Sequence, residues 1–175
     1  MIKQDILEKQ VKSSYLAIGS NLGDKLSNIE KAKHLLFQNN IYIQANSSYY
    51  ETESWPNKNF PKFFNIVLKI KTELTIVELF KTIKKIEKLI GRKKSPKNHP
   101  RICDIDIIDF KGLNLKVQFN GQNIVTPHPR MHKRNFVIFP LYELNKTWVH
   151  PKTRVNINNI INQFKDLGLS DIRIV

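Results

Sequence analysis

Two stretches of helical periodicity, each set between extended apolar runs, leave this chain only a few ways to fold. Leu22, Leu26, Ile29, Ala32 and Leu36 recur at spacings of four, three, three and four, which puts them on one helix face. Asp24 is the expected N-cap; Ser27 with Glu30 also fits capping-box spacing one turn later, and the helix is expected to end near Asn39 and Asn40. The second helix is bounded more sharply. Thr75 and Glu78 form a T-x-x-E capping box, Ile76, Leu79, Ile83, Ile86 and Ile90 keep the helical spacing, and Gly91 stops it. Extended runs at 14–19, 41–50, 63–70 and 102–110 surround these helices. The order strand, helix, strand, strand, helix, strand predicts a ferredoxin-like split β-α-β sandwich of the α/β (α+β) class. In it the sheet is mainly antiparallel and the two helices pack on one face.

Beyond this unit, a short β-rich stretch at 115–119 leads to a turn at Asn120-Gly121, then a basic segment at 126–134 and an apolar one at 136–144. A last helix is expected over 155–164. Residues 1–13 are polar and Lys-rich and read as an N-terminal extension, which leaves 14–175 as a single domain. A chain of 175 residues is the usual size for one core.

Composition narrows the function. Lys and Arg exceed Asp and Glu by 14, so the surface field favours anionic partners. The single cysteine, Cys103, excludes an internal disulfide, and the first residues lack an apolar h-region, so a cytoplasmic location is expected. The stretch at 136–144 is interrupted by Pro140 and falls far short of the roughly 20 residues that a membrane span needs.

The strongest chemical signal is Pro100-Arg101-Ile102-Cys103-Asp104-Ile105-Asp106-Ile107-Ile108. Strand side chains alternate, so Asp104 and Asp106 share one face about 7 Å apart, while Ile105 and Ile107 point to the core with Cys103. Two such carboxylates suit Mg²⁺ that also holds substrate phosphates. Solvation of an exposed strand face is the competing account. Asp109 has the opposite parity to Asp104 and Asp106 and reads as a strand-end or turn residue. Basic side chains bracket the pair: Arg92, Lys94, Lys97 and Arg101 before it, and His128, Arg130, His132, Lys133 and Arg134 after it. Acids flanked by cations are what phosphoryl transfer requires, because its barrier falls mainly by neutralising and positioning spread negative charge.

Other chemistries are excluded by spacing. Gly19-Ser20-Asn21-Leu22-Gly23-Asp24-Lys25 has neither P-loop nor dinucleotide-fold spacing and reads as a tight turn. The five histidines show no zinc pattern. A basic RNA-binding protein on a split β-α-β fold remains as an alternative, although no RNP-type aromatic motif is present.

Four motifs together resemble the 6-hydroxymethyl-7,8-dihydropterin pyrophosphokinases of folate biosynthesis. They are Tyr15-Leu16-Ala17-Ile18-Gly19-Ser20-Asn21-Leu22-Gly23-Asp24, Phe63-Phe64-Asn65, Pro100-Arg101-x-x-Asp104-Ile105-Asp106, and Pro127-His128-Pro129-Arg130-Met131-His132-x-Arg134-x-Phe136-Val137. The resemblance spans residues 14–151 and implies transfer of pyrophosphate from ATP to the pterin, with release of AMP and no covalent enzyme intermediate. It implies that Asp104 and Asp106 hold two Mg²⁺ ions. Arg92, Lys94, Arg101, His128 and Arg134 are implied nucleotide contacts, with Arg92 and Arg101 joining the acids as catalytic residues. Ile107 resembles the residue lining the adenine pocket. Thr52, Asn65, Phe63 and Phe136 fall where the family binds pterin, the two aromatics sandwiching the ring. The implied partners are these small molecules, with no nucleic acid, no membrane and a monomeric chain. Departures from the pattern occur at Glu53-Ser54-Trp55-Pro56, at His99, at Lys84 in place of a common glutamine, and at Lys94 in place of a common arginine. A lysine there exchanges a bidentate fork for a point charge, so a retuned ATP grip with catalysis retained is expected.

Overall fold

The computed structural model describes residues 12–93, 95–96, 98–166 and 172–175. Most of the expected N-terminal extension, together with Lys94 and Lys97, lies outside the described residues.

Strand β1 (Ser14–Ser20) leads to helix α1 (Lys25–Gln38), then β2 (Tyr42–Asn46), β3 (Tyr50–Thr52), β4 (Phe63–Lys71), helix α2 (Ile76–Ile90) and β5 (Asp104–Asp109). The sheet runs β5-β1-β4-β3, with β2 also pairing β4, and every one of these pairings is antiparallel. Counting β2 and β3 as one broken strand, the order is fourth, first, third, second, which is the ferredoxin-like sandwich. A two-residue strand, β8 (Arg173–Ile174), extends the β3 edge.

Local chemistry sets the helix ends. Asp24 caps α1, its carboxylate accepting from the Ser27 amide at 3.0 Å, so the alternative start at Ser27 is not used. The Thr75–Glu78 box is formed in both directions, and Gly91 closes α2 with φ of 108°, a left-handed conformation that glycine adopts at least cost.

Two expectations need correction. The run at 41–50 is two strands, because Ser47 leaves the ladder: its hydroxyl accepts from the Val67 amide at 3.0 Å and donates to the Ser48 carbonyl at 2.8 Å. The apolar stripe of α1 is shorter than its periodicity implies. Ile29, Ala32 and Leu36 are buried, but Leu22 and Leu26 are 44% and 49% exposed, lying where the helix has yet to meet the sheet.

A hairpin follows, β6 (Leu115–Phe119) and β7 (Gln122–Thr126), its turn formed by Asn120 and Gly121 with φ of 48° and 73°. Periodicity did not signal the returning strand. Helix α3 (Asn135–Leu144) accommodates Pro140, and α4 (Ile157–Asp166) begins two residues later than expected.

Two cores result. Ile18, Ile66, Leu68, Ile105 and Ile107 pack against α1 and α2 on one face of the sheet. Tyr15, Val67 and Ile108 pack against α3 and α4 on the other. Asp109 ends its strand as expected: buried, it accepts from Trp148 Nε1 and from the Gly112 amide, each at 2.8 Å. Among the described residues no helix is long and apolar enough to cross a membrane.

Candidate active site

The site is laid out by strand register. On β1, Gly19 lies opposite Asn65 of β4 on one side and opposite Asp104 of β5 on the other; Ala17 lies opposite Asp106. Residues directly across a sheet share a face, so both acids and Asn65 project from the face that carries the second core. Helices α3 and α4 cover that face at Tyr15, Val67 and Ile108 and leave the row at Gly19 open. Gly19 is required for this shape. A Cβ built there would lie 3.0 Å from Asn65 Oδ1 and 3.5 Å from the Phe63 ring. Asn65 is held in turn by donating to Thr52 Oγ1 at 2.9 Å.

The two acids are neutralised by guanidinium groups from three segments. Arg92, just beyond α2, donates to Asp104 Oδ1 at 2.6 Å, and Arg101 donates to Asp104 Oδ2 at 2.6 Å. Arg134, at the start of α3, donates to Asp106 Oδ2 at 2.8 Å, with His128 Nε2 3.7 Å from the same oxygen. Burial pushes the Asp104 carboxyl up, but the Arg101 and Arg92 guanidiniums outweigh it and hold it below the usual carboxylate range. Burial, helped by Arg134 and Arg130 and opposed by Asp106, keeps the His128 imidazole below its ordinary value. Solvation of a bare strand face is therefore not the role of this pair.

A further acid supports the constellation. Glu87 projects from α2 with its side chain only 3% exposed. It accepts from Lys84 at 2.9 Å, from the Ile105 amide at 2.8 Å and from the Arg92 guanidinium. One carboxylate thus closes the outer edge of β5 and fixes the arginine that reaches Asp104. Burial raises the Glu87 carboxyl, against the pull of Lys84, the Ile105 amide and Arg92. Sequence reading missed this residue, although a signal existed: Glu87 stands four residues after Ile83, on the buried stripe of α2.

Ile107 faces the opposite side, as parity requires. With Phe80, Ile83, Lys84, Ile124 and His128 it lines a cavity of about 320 Å³ along the β5 edge. Cys103 is buried in the first core as expected, its thiol pushed up to about 12 by burial and by the Glu87 and Asp104 charges, and so inert. On the open face the Arg101 guanidinium stands 6.0 Å from the Phe63 ring centroid, and that of Arg134 stands 5.6 Å from the Phe136 centroid. Each aromatic is thereby tied to an arginine of the acid cluster. Trp55 is 77% exposed on the loop between β3 and β4.

The donor set fits a divalent cation of the hard, oxygen-loving type. Two carboxylates side by side give a half-built coordination shell, and no group of three or more metal-ligating side chains occurs among the described residues. Mg²⁺ is commonly bound in this way, through one or two carboxylates with substrate phosphates completing the shell.

Paired acids ringed by guanidiniums on an open sheet face are the equipment of an enzyme that moves phosphoryl groups. Residues 15–146 match the family described as 7,8-dihydro-6-hydroxymethylpterin-pyrophosphokinase (HPPK), and the chain belongs to that family. Members are ATP-using enzymes of folate synthesis, generally working with Mg²⁺. The chain is 40% identical over 137 residues to the 2-amino-4-hydroxy-6-hydroxymethyldihydropteridine pyrophosphokinase of Aquifex aeolicus, covering 78% of this chain and 82% of that protein. It is 37% identical over 146 residues to the folic acid synthesis protein FOL1 of Dictyostelium discoideum, but spans only 22% of its length. The crystal structure of wild-type Plasmodium falciparum HPPK-DHPS shares the fold, with a TM-score of 0.71 at 15% identity over 94% of this chain and 48% of that one.

Proposed function

We propose that this chain transfers the β,γ-pyrophosphate of ATP to 6-hydroxymethyl-7,8-dihydropterin. The pterin hydroxyl oxygen bonds to the β-phosphorus, the bond from that phosphorus to the α,β-bridging oxygen breaks, and AMP departs with the bridging oxygen while the hydroxyl proton is lost. Asp104 and Asp106 would hold two Mg²⁺ ions, which supply charge neutralisation to the triphosphate. With cations on the carboxylates, Arg92, Arg101 and Arg134 are released to take phosphate oxygens, and His128, kept neutral, accepts or donates one hydrogen bond beside them. Lys94 completes the nucleotide set, and Ile107 gives the adenine an apolar wall.

The pterin half uses neutral groups. Phe63 and Phe136 offer ring faces, and Asn65 with Thr52 offers directed polar atoms to the heterocycle edge, as a planar ligand rich in donors and acceptors requires. Residues 14–175 act as one domain with 1–13 as an extension, and the enzyme works as a monomer in the cytoplasm. The RNA-binding alternative draws no support from Arg92, Arg101 and Arg134, which turn onto carboxylates.

One observation carries this reading: two acids on one strand face are held by three arginines, two on Asp104 and one on Asp106, and Asp104 shares a cross-strand row with Asn65 through Gly19. The test is AMP release from ATP, measured with and without the hydroxymethyldihydropterin. Pterin-dependent AMP is expected. Release that ignores the pterin, or none, contradicts the reading.

A further inference from the structure

Asn21 stands apart from both acid cluster and pterin pocket, yet it touches the loops that flank each. It is 2% exposed. Its Nδ2 donates to Ser54 Oγ and to the Pro61 carbonyl, both at 3.1 Å, at the two ends of the loop joining β3 and β4. Its Oδ1 accepts from the Arg101 amide at 2.8 Å, and its own amide donates to the Arg101 carbonyl at 3.2 Å. Ser54 Oγ closes the figure by donating to the Pro61 carbonyl at 2.6 Å. One buried side chain thus spends both amide hydrogens on the loop beside Thr52 and Phe63, and its oxygen on the residue whose guanidinium holds Asp104.

Two more contacts join the same loops. The Phe60 and His99 rings lie 5.4 Å apart between centroids, and the Arg101 guanidinium stands over Phe63 at 6.0 Å. Each links a segment flanking the pterin pocket to one flanking the phosphate site, but both are tilted or long contacts of exposed or half-buried groups. Asn21 alone is buried and bound on both sides by directed bonds.

We infer that Asn21 is a positioning residue that couples the two subsites: ordering either loop around its ligand orders the other through the amide clasp. The inference rests on the proposed pyrophosphokinase reading. It follows from linkage, because a ligand that fixes one loop removes part of the ordering cost met by the second ligand, and the gain is reciprocal.

The test measures affinity for a non-hydrolysable ATP analogue with Mg²⁺, in the presence and absence of 6-hydroxymethylpterin, by calorimetry, with the reciprocal titration as a control. Wild type is expected to bind each ligand about 5-fold or more tightly when the other is present, the lower end of common couplings. In Asn21→Ala the ratio falls to about 1, within about 2-fold, while the affinity for the nucleotide alone moves less than the ratio does. Ser54→Ala removes one of the two loop bonds and leaves Arg101 held, so an intermediate ratio is expected; it also serves if Asn21→Ala does not fold. A merely structural asparagine would lower melting temperature and leave the ratio intact. Variants that keep the wild-type ratio, or a wild type that binds both ligands independently, overturn this inference alone. A wild type that binds neither ligand overturns the functional reading and this inference with it.

Discussion

The acid half of the site and the neutral half around Asn65 sit on the same sheet face but are held by different physics. Around Asp104 and Asp106 every contact is ionic, and each carboxylate is neutralised by guanidiniums brought from beyond α2, from the strand entrance and from the start of α3. Around Asn65 the contacts are neutral and local: a hydrogen bond to Thr52 and the space left by Gly19, which the Phe63 ring also borders. The difference shows which half is built to exchange partners. Ion pairs between partly exposed groups can be traded for cations and phosphates at modest net cost, since part of their attraction is already screened by water. A snug neutral pocket gains by staying put, because its selectivity comes from shape and directed bonds.

Substitutions can break this contrast, beginning with the largest effect. Asp106→Ala is expected to lower kcat/KM about a thousandfold, roughly 4 kcal/mol of transition-state stabilisation, with an unchanged far-ultraviolet spectrum. Steady-state AMP production measures the rate; near-normal activity would deny the acid half its role. Glu87→Ala leaves the Ile105 amide and the Arg92 guanidinium without their shared acceptor, so a loss of about 3 kcal/mol in urea unfolding is expected, along with a fall in kcat. The reverse substitution, in the neutral half, is Gly19→Ala. Its methyl group must displace Asn65 Oδ1 from 3.0 Å, so the pterin KM should rise about tenfold, near 1.4 kcal/mol, with the ATP KM little changed.

The smallest effect calibrates the rest from outside the site. His150 is buried, and burial, with His132 and Lys152 nearby, holds its imidazole below the ordinary value of 6.5. Its Nδ1 accepts from the Lys152 and Thr153 amides, which requires the unprotonated ring. The unfolded chain therefore binds the proton more readily. Stability is complete above pH 6.5 and declines as pH falls from there toward the lowered folded value. Thermal melts of His150→Asn should show a flatter acid limb by less than about 1 kcal/mol, with the substrate KM values unmoved.

Legibility in the sequence followed the range of the forces involved. The T-x-x-E box, the Gly91 stop and the parity of Asp104 with Asp106 are local, and the structure repeats them residue for residue. The clustering of Arg92, Arg101 and Arg134 on the acids was signalled by charge flanking the D-x-D stretch, while their exact partners depend on the return of α3 to β5. What failed was tertiary. The break at Ser47 depends on an amide 20 residues away, and the exposure of Leu22 and Leu26 depends on where α1 meets the sheet. Asn21 was legible only as part of a turn, because its partners lie 33, 40 and 80 residues further on.

The most direct measurement is a crystal of the protein with a non-hydrolysable ATP analogue, the pterin and Mn²⁺ in place of Mg²⁺, with anomalous scattering recorded at the manganese edge. Two anomalous peaks are expected within coordination distance of the Asp104 and Asp106 carboxylates and beside the triphosphate, with the pterin ring against Phe63. Carboxylates still paired to Arg92, Arg101 and Arg134, with manganese and nucleotide lodged elsewhere, would contradict this account.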